Sequence, residues 1–201
     1  MISIFLYIWS LKVATKHSKI VVQNIKKMTT RELDDLVDEI LDEKNDRSLI
    51  ILCSSIIDTQ LYDLLNTFFV KSIKKDDNLL KGDNPLSTFS SRIKIIYRLG
   101  LIDDSFRLVL DTVRKVRNLC AHSVQLDIKK APIRDHILFL KKNIEIRSTF
   151  KLIKKRYFDN ETNKKDEVKS LFITISIILE ALLQSINEIK KNETLIKISL
   201  K

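Results

Sequence analysis

From Ser48 to Lys71 the chain reads SLIILCSSIIDTQLYDLLNTFFVK, apolar on nearly every side of a 3.6-residue helix. A helix of this kind, about twenty residues long and lacking a continuous polar face, has to be enclosed by other elements. The surrounding sequence is suited to do that with helices. A second apolar run, VKSLFITISIILEALL, lies within Asp166–Lys191; it is β-branched enough to mimic a strand, but its length reads as a buried helix. Only two glycines and two prolines punctuate 201 residues, far too few for the turns of a sheet protein. The expectation is an all-α chain: a single bundle of five to seven helices, with Ser48–Phe69 and Leu171–Leu183 near its centre.

The order of the other elements follows from their punctuation. Residues 1–27 carry five lysines and no acid and are read as a basic N-terminal extension, with 28–201 as one helical domain. The apolar run Ile2–Leu11 is far short of the ~20 residues that span a bilayer, and no basic residue precedes it as in a signal peptide. It fits an added amphipathic helix, a surface anchor, or residues upstream of a second start at Met28. Thr29 or Thr30 can cap an acidic helix over 30–44 with Leu33, Leu36, Val37, Ile40 and Leu41 inward. A polar loop spans Lys74 to Pro85, and Ser87 or Thr88 can cap STFSSRIKIIYRLG, which Gly100 ends. Pro132 suits a first helical turn, Ile133–Phe150 reads as a further helix, and Lys151–Lys165 reads as a basic stretch containing a loop.

The residues with chemistry to offer gather on Asp103–His122, DDSFRLVLDTVRKVRNLCAH. At 100° per residue, Arg107, Asp111, Arg114, Arg117, Asn118 and His122 fall on one side. Phe106, Leu108, Val109, Val113, Val116, Leu119 and Cys120 fall on the other, as the stripe facing a core. Arg114, Asn118 and His122 stack at intervals of four, a ridge of cations, amide and imidazole that suits a phosphate. Asp58, inside the enclosed helix, needs a cationic partner because an unpaired buried carboxylate is expensive. Arg47, Arg92 and Arg117 are the candidates. The pairing adopted is Asp58 with Arg47, which leaves Arg92 beside Arg107 and Arg114 as a substrate-binding cation.

A net charge of +10 and a pI near 9.5 favour an acidic partner, although a solvated lysine surface would give the same balance. Cys53 and Cys120 lie in apolar stretches, without a CxxC pair or a His/Cys cluster. They read as free thiols in a reducing cytoplasm, with no metal and no cofactor expected. His17 and His136 have no companions and read as ordinary surface or packing residues. Lys151–Lys165, with Tyr157 and Phe158, reads as a solvated loop rather than an RNA contact.

Arg117-Asn118-Leu119-Cys120-Ala121-His122 matches R-N-x-x-x-H, which resembles the R-x(4–6)-H signature of HEPN domains, helical bundles that often act as metal-independent ribonucleases. Over a longer span, DRSLIILCSSIIDTQLYDLLNTFFV, LLKGDNPLSTFSSRIKIIYRLGLID and VRKVRNLCAH resemble the mannitol-operon repressor family, or MltR-like proteins. That resemblance covers Asp46 to His122, and NPLSTFSSRIKIIYRLGLI is its most specific piece. The two are compatible, because the MltR-like R-N-x-x-A-H segment falls at the HEPN motif.

The HEPN resemblance implies an endoribonuclease, the toxin of a toxin–antitoxin or phage-defence system, with Arg117, Asn118 and His122 catalytic. In that chemistry the ribose 2′-OH attacks the phosphate. An imidazole moves the protons near neutrality, and a guanidinium stabilises the pentavalent charge. One histidine per motif implies a symmetric homodimer, with RNA and an antitoxin or other protein as partners. The MltR-like resemblance implies instead a transcriptional regulator or a non-catalytic interaction domain, in which Arg117 and His122 serve structure or binding. Direct reading of DNA is not favoured, because Arg and Asn cluster at the C-terminal end of the ridge rather than where a recognition helix reads bases. A membrane partner is not expected.

Overall fold

The computed structural model describes residues 30–70, 79–158 and 164–192. The basic extension 1–27 with His17, the Met28 start and the Thr29 cap lie outside them, as do most of the Lys74–Pro85 loop's first half and the side chains of Leu33 and Leu36. Seven helices make up the described residues, with no strand among them: α1 (Thr30–Asp42), α2 (Asp46–Phe68), α3 (Phe89–Arg98), α4 (Asp104–His122), α5 (Ile133–Ile144), α6 (Ser148–Tyr157) and α7 (Lys164–Asn192). The chain is all-α.

The centre is the antiphase of sequence and solvent: the two most apolar helices, α2 and α7, make the broadest contact in the molecule, and the others pack around them. Ile50, Cys53, Ile57, Leu61, Leu64 and Leu65 of α2 meet Leu171, Phe172, Ile175 and Leu179 within one buried cluster. Both helices are long and apolar enough to cross a bilayer by length and composition, yet 72% of that window in α7 and 50% in α2 is buried inside the bundle. Their apolar content is spent on the core. Ser54, Gln60, Lys169, Ser170, Thr174, Ser176 and Ser185 are the polar residues of the two helices buried with it. Gln60 Nε2 donates to the Ser176 carbonyl at 3.1 Å, and Lys169, itself buried, donates Nζ to the Leu41 carbonyl at the open end of α1. A cation there meets the unpaired carbonyls of a helix C-terminus.

Three helix starts, those of α2, α3 and α4, are set by side-chain caps. Asn45 accepts from the Arg47 and Ser48 amides, Thr88 forms a reciprocal capping box with Ser91, and Asp103 accepts from the Phe106 amide at 2.7 Å. Gly100, at φ +71°, takes the left-handed turn between α3 and α4 that a side chain would resist.

Two expectations are corrected. Ile133–Phe150 is not one helix: it breaks at 145–147, where Arg147 is extended and its guanidinium lies over the Phe106 ring, 5.1 Å from the centroid. Lys151–Tyr157 is then helical rather than loop, because Phe150 and Ile153 recur at helical spacing and are buried, with Tyr157 half-buried on the same side. The break lets α6 turn that stripe onto α7.

Candidate functional site

α4 rests on α2, α3 and α5 through Phe106, Val109, Leu110, Thr112, Val113, Val116 and Cys120, all buried. Leu108, read from its angle as part of that stripe, stands at the stripe's edge and is 40% exposed. The opposite side carries the ridge, and its two halves differ. In the N-terminal half, Arg107 Nε lies 2.7 Å from Asp104 Oδ1 and its Nη1 2.9 Å from Asp111 Oδ2. Arg114 Nε lies 3.5 Å from Asp111 Oδ1. The Asp104 hydrogen bond foremost, with Asp111 adding its charge, raises the Arg107 guanidinium above its ordinary value. The same guanidinium covers the exposed Tyr97 ring at 5.4 Å. Four charges here cancel in pairs.

The C-terminal half is open. Arg117 is exposed and donates Nη1 to Asn118 Oδ1 at 3.3 Å. His122 is exposed on the last turn. Below it the helix closes at Ser123, whose amide and hydroxyl both donate to the Leu119 carbonyl. Arg47 reaches across from the start of α2, donating Nη2 to the Val124 carbonyl at 3.0 Å. The segment after His122 is thereby tied to the bundle. Sequence reasoning missed this tether; no spacing rule links residues 77 apart.

That contact also corrects the pairing adopted for Asp58. Its partner is Arg92, with Nη1 to Oδ1 at 2.6 Å, and Arg47 is occupied elsewhere. Arg92 is not available to a substrate. Its Nη2 donates to the Leu80 and Ser87 carbonyls at 3.0 and 2.8 Å, its guanidinium lies 5.5 Å from the Tyr62 ring centre, and its side chain is 11% exposed. The reason is position. Arg92 sits on the face of α3 that carries the buried Ile93 and Ile96, so it points at α2 rather than at the ridge.

The structure thus brings Arg117, Asn118 and His122 together, sets Arg114 and Arg107 beside them but neutralised, and ties buried Arg92 to half-buried Asp58 away from the ridge. Chemically, the open end offers a guanidinium, an amide and one imidazole on a convex helix terminus. That set can hold a phosphate oxygen. It supplies one proton-transfer group, so transfer at both the attacking and leaving oxygens needs that group twice or a second copy. Among the described residues no cluster of His, Cys, Asp or Glu could hold a metal ion. An open groove of about 870 Å³ lies between α1 and α2, lined by Glu39, Asp42, Glu43, Ile51 and Leu52 among others, and no ridge residue lines it. Both thiols are free and buried, and desolvation pushes Cys53 up to about 12 and Cys120 up to about 11, far from a reactive thiolate.

No family model matches the chain, and no curated protein matches it in sequence. Its fold is similar to the crystal structure of a possible transcriptional regulator, YggD, from Shigella flexneri. The TM-score is 0.57 at 18% identity, over 75% of this chain and 97% of that one.

Proposed function

We propose that the chain is an MltR-like transcriptional regulator, a helical binding module that works without cutting nucleic acid. The observation that carries this reading is the pairing of Arg107 and Arg114 with Asp104 and Asp111. It withdraws two of the ridge's three arginines from a scissile phosphate while stiffening the helix as a presentation surface. The fold shared with a possible regulator along nearly all of that protein's length supports the same reading. In it, Arg117, Asn118 and His122 form a contact surface for an acidic partner, and the protein acts in the cytoplasm as a homodimer. Light scattering is expected to give about twice the chain mass of 23.5 kDa.

A second reading is favoured by one specific observation, the exposure of Arg117 and His122 at the same helix end, with Asn118 half-buried between them. It is the HEPN-type ribonuclease, the toxin of a defence or toxin–antitoxin pair, with a composite site across a dimer. Total cellular RNA incubated with the protein in EDTA separates the two. The regulator leaves it intact. Fragments ending in 2′,3′-cyclic phosphate, lost in His122→Ala, would replace the first reading with the second.

A further inference from the structure

Among the described helices, α6 carries the largest run of cations unmixed with acids, more so than the ridge. Its sequence STFKLIKKRY holds four cations and no acid. Lys151, Lys154, Lys155 and Arg156 are all exposed. Whereas Asp104 and Asp111 hold the ridge arginines, no described carboxylate forms an ion pair with Lys151, Lys154 or Lys155; only Lys154 is otherwise engaged, 5.8 Å from the Phe150 ring centre. Lys151 and Lys155 stand one turn apart, about 6 Å along the axis, comparable with the distance between neighbouring phosphates on a strand.

We infer that the exposed face of α6, centred on Lys151, Lys154 and Lys155, binds the phosphate backbone of a nucleic acid without reading its sequence. Three features favour this partner. The helix's apolar side, Phe150 and Ile153 with the following Phe158, is already buried in the bundle; Leu152, 48% exposed, and Ile146 before the helix are the large apolar side chains left outside there, short of the continuous apolar face that enters a membrane surface. Lysine is depleted from protein–protein interfaces, which rely on aromatic and arginine anchors, while lysines in a row are what backbone neutralisation uses. The chain carries a net charge of +10, and α6 contributes four cations to it without an acid. The inference deepens the regulator reading and rests on it for its biological sense.

The test is fluorescence anisotropy of the full chain with a labelled 20-base-pair duplex of mixed sequence across a salt series. Lys151→Gln/Lys154→Gln/Lys155→Gln keeps helix propensity and touches no core residue, and circular dichroism checks its fold. The slope of log affinity against log salt should become shallower by about 2–3 units, at ~0.9 per phosphate contact. A control triple, Lys94→Gln/Lys115→Gln/Lys129→Gln, removes equal charge from other exposed positions and should change the slope by less than one unit. Equal losses from both triples, or none from the first, overturn the inference. So does an acidic polypeptide or an anionic phosphatidylserine vesicle that displaces the duplex at lower charge concentration than unlabelled duplex does. A wild type that still changes transcription while failing this assay would leave the regulator reading standing and remove only the α6 surface.

Discussion

At the residue scale, the account turns on which charges are committed and which are free. Arg92 and Asp58 are committed: the pair links α2 to α3, and Arg92 also holds the loop carbonyls of Leu80 and Ser87. Asp58→Ala leaves the guanidinium short of its charge partner. The Asp58 side chain is 32% exposed, so the cost should sit below that of a fully buried pair, about 2–4 kcal/mol. In a domain of this size that lowers Tm by roughly 5–15 °C in a thermal melt. His122→Ala, by contrast, removes an exposed ring and should leave Tm within about 1–2 °C. The thiols give a pH signature. Cys53 is pushed up to about 12 by burial, against 9.0 for a free thiol. Above pH 9 the unfolded chain therefore releases a proton that the folded chain retains. Stability is held below pH 9 and falls as pH rises from there towards 12. Denaturant titrations at pH 8 and pH 10.5 should show that fall, and Cys53→Ala should reduce it. That Asp58 needed a partner was legible in the sequence, because a carboxylate stood in an apolar run. Which arginine answered was not, because three helices had to be placed before Arg47, Arg92 and Arg117 could be told apart.

Elements were easier to read than their boundaries. The run from Ser48 and the one from Val168 are helices in contact at the centre, as their lack of a polar face demanded. The break at 145–147 was hidden, since Glu145, Ile146 and Arg147 carry neither glycine nor proline. The chain turns there because Phe150 and Ile153 gain burial against α7 and Arg147 gains the Phe106 face and the Ser105 hydroxyl. Tertiary packing outweighed local propensity. The ridge shows the opposite case. Asp104, Arg107, Asp111 and Arg114 follow one another at three- and four-residue steps, so their pairing was implicit in the sequence. Asp111→Asn should release Arg114 and leave Arg107 held by Asp104 alone. Anisotropy with a duplex probe is expected to show tighter binding at low salt and a salt slope steeper by about one unit. An unchanged slope would mean that the ridge faces no polyanion. Thr88→Ala removes the capping box of α3 and should cost ~1 kcal/mol in a denaturant titration.

At the scale of the whole fold, the described residues set two apolar helices among five others and present a charged exterior with two contrasting faces. One is the ridge, self-neutralised except at Arg117 and His122; the other is the lysine face of α6, where no described carboxylate pairs with Lys151, Lys154 or Lys155. An enzyme would need the first to gather charge around a scissile bond, whereas a regulator needs both only to hold a partner. The measurement that separates them most directly is genome-wide mapping of transcript abundance and transcript ends in a deletion strain restored with wild type or with His122→Ala. The regulator account predicts that wild type changes the abundance of particular transcripts whose 5′ ends remain at their promoters, with no new internal ends. New internal ends bearing 2′,3′-cyclic phosphate, present with wild type and absent with His122→Ala, would contradict it.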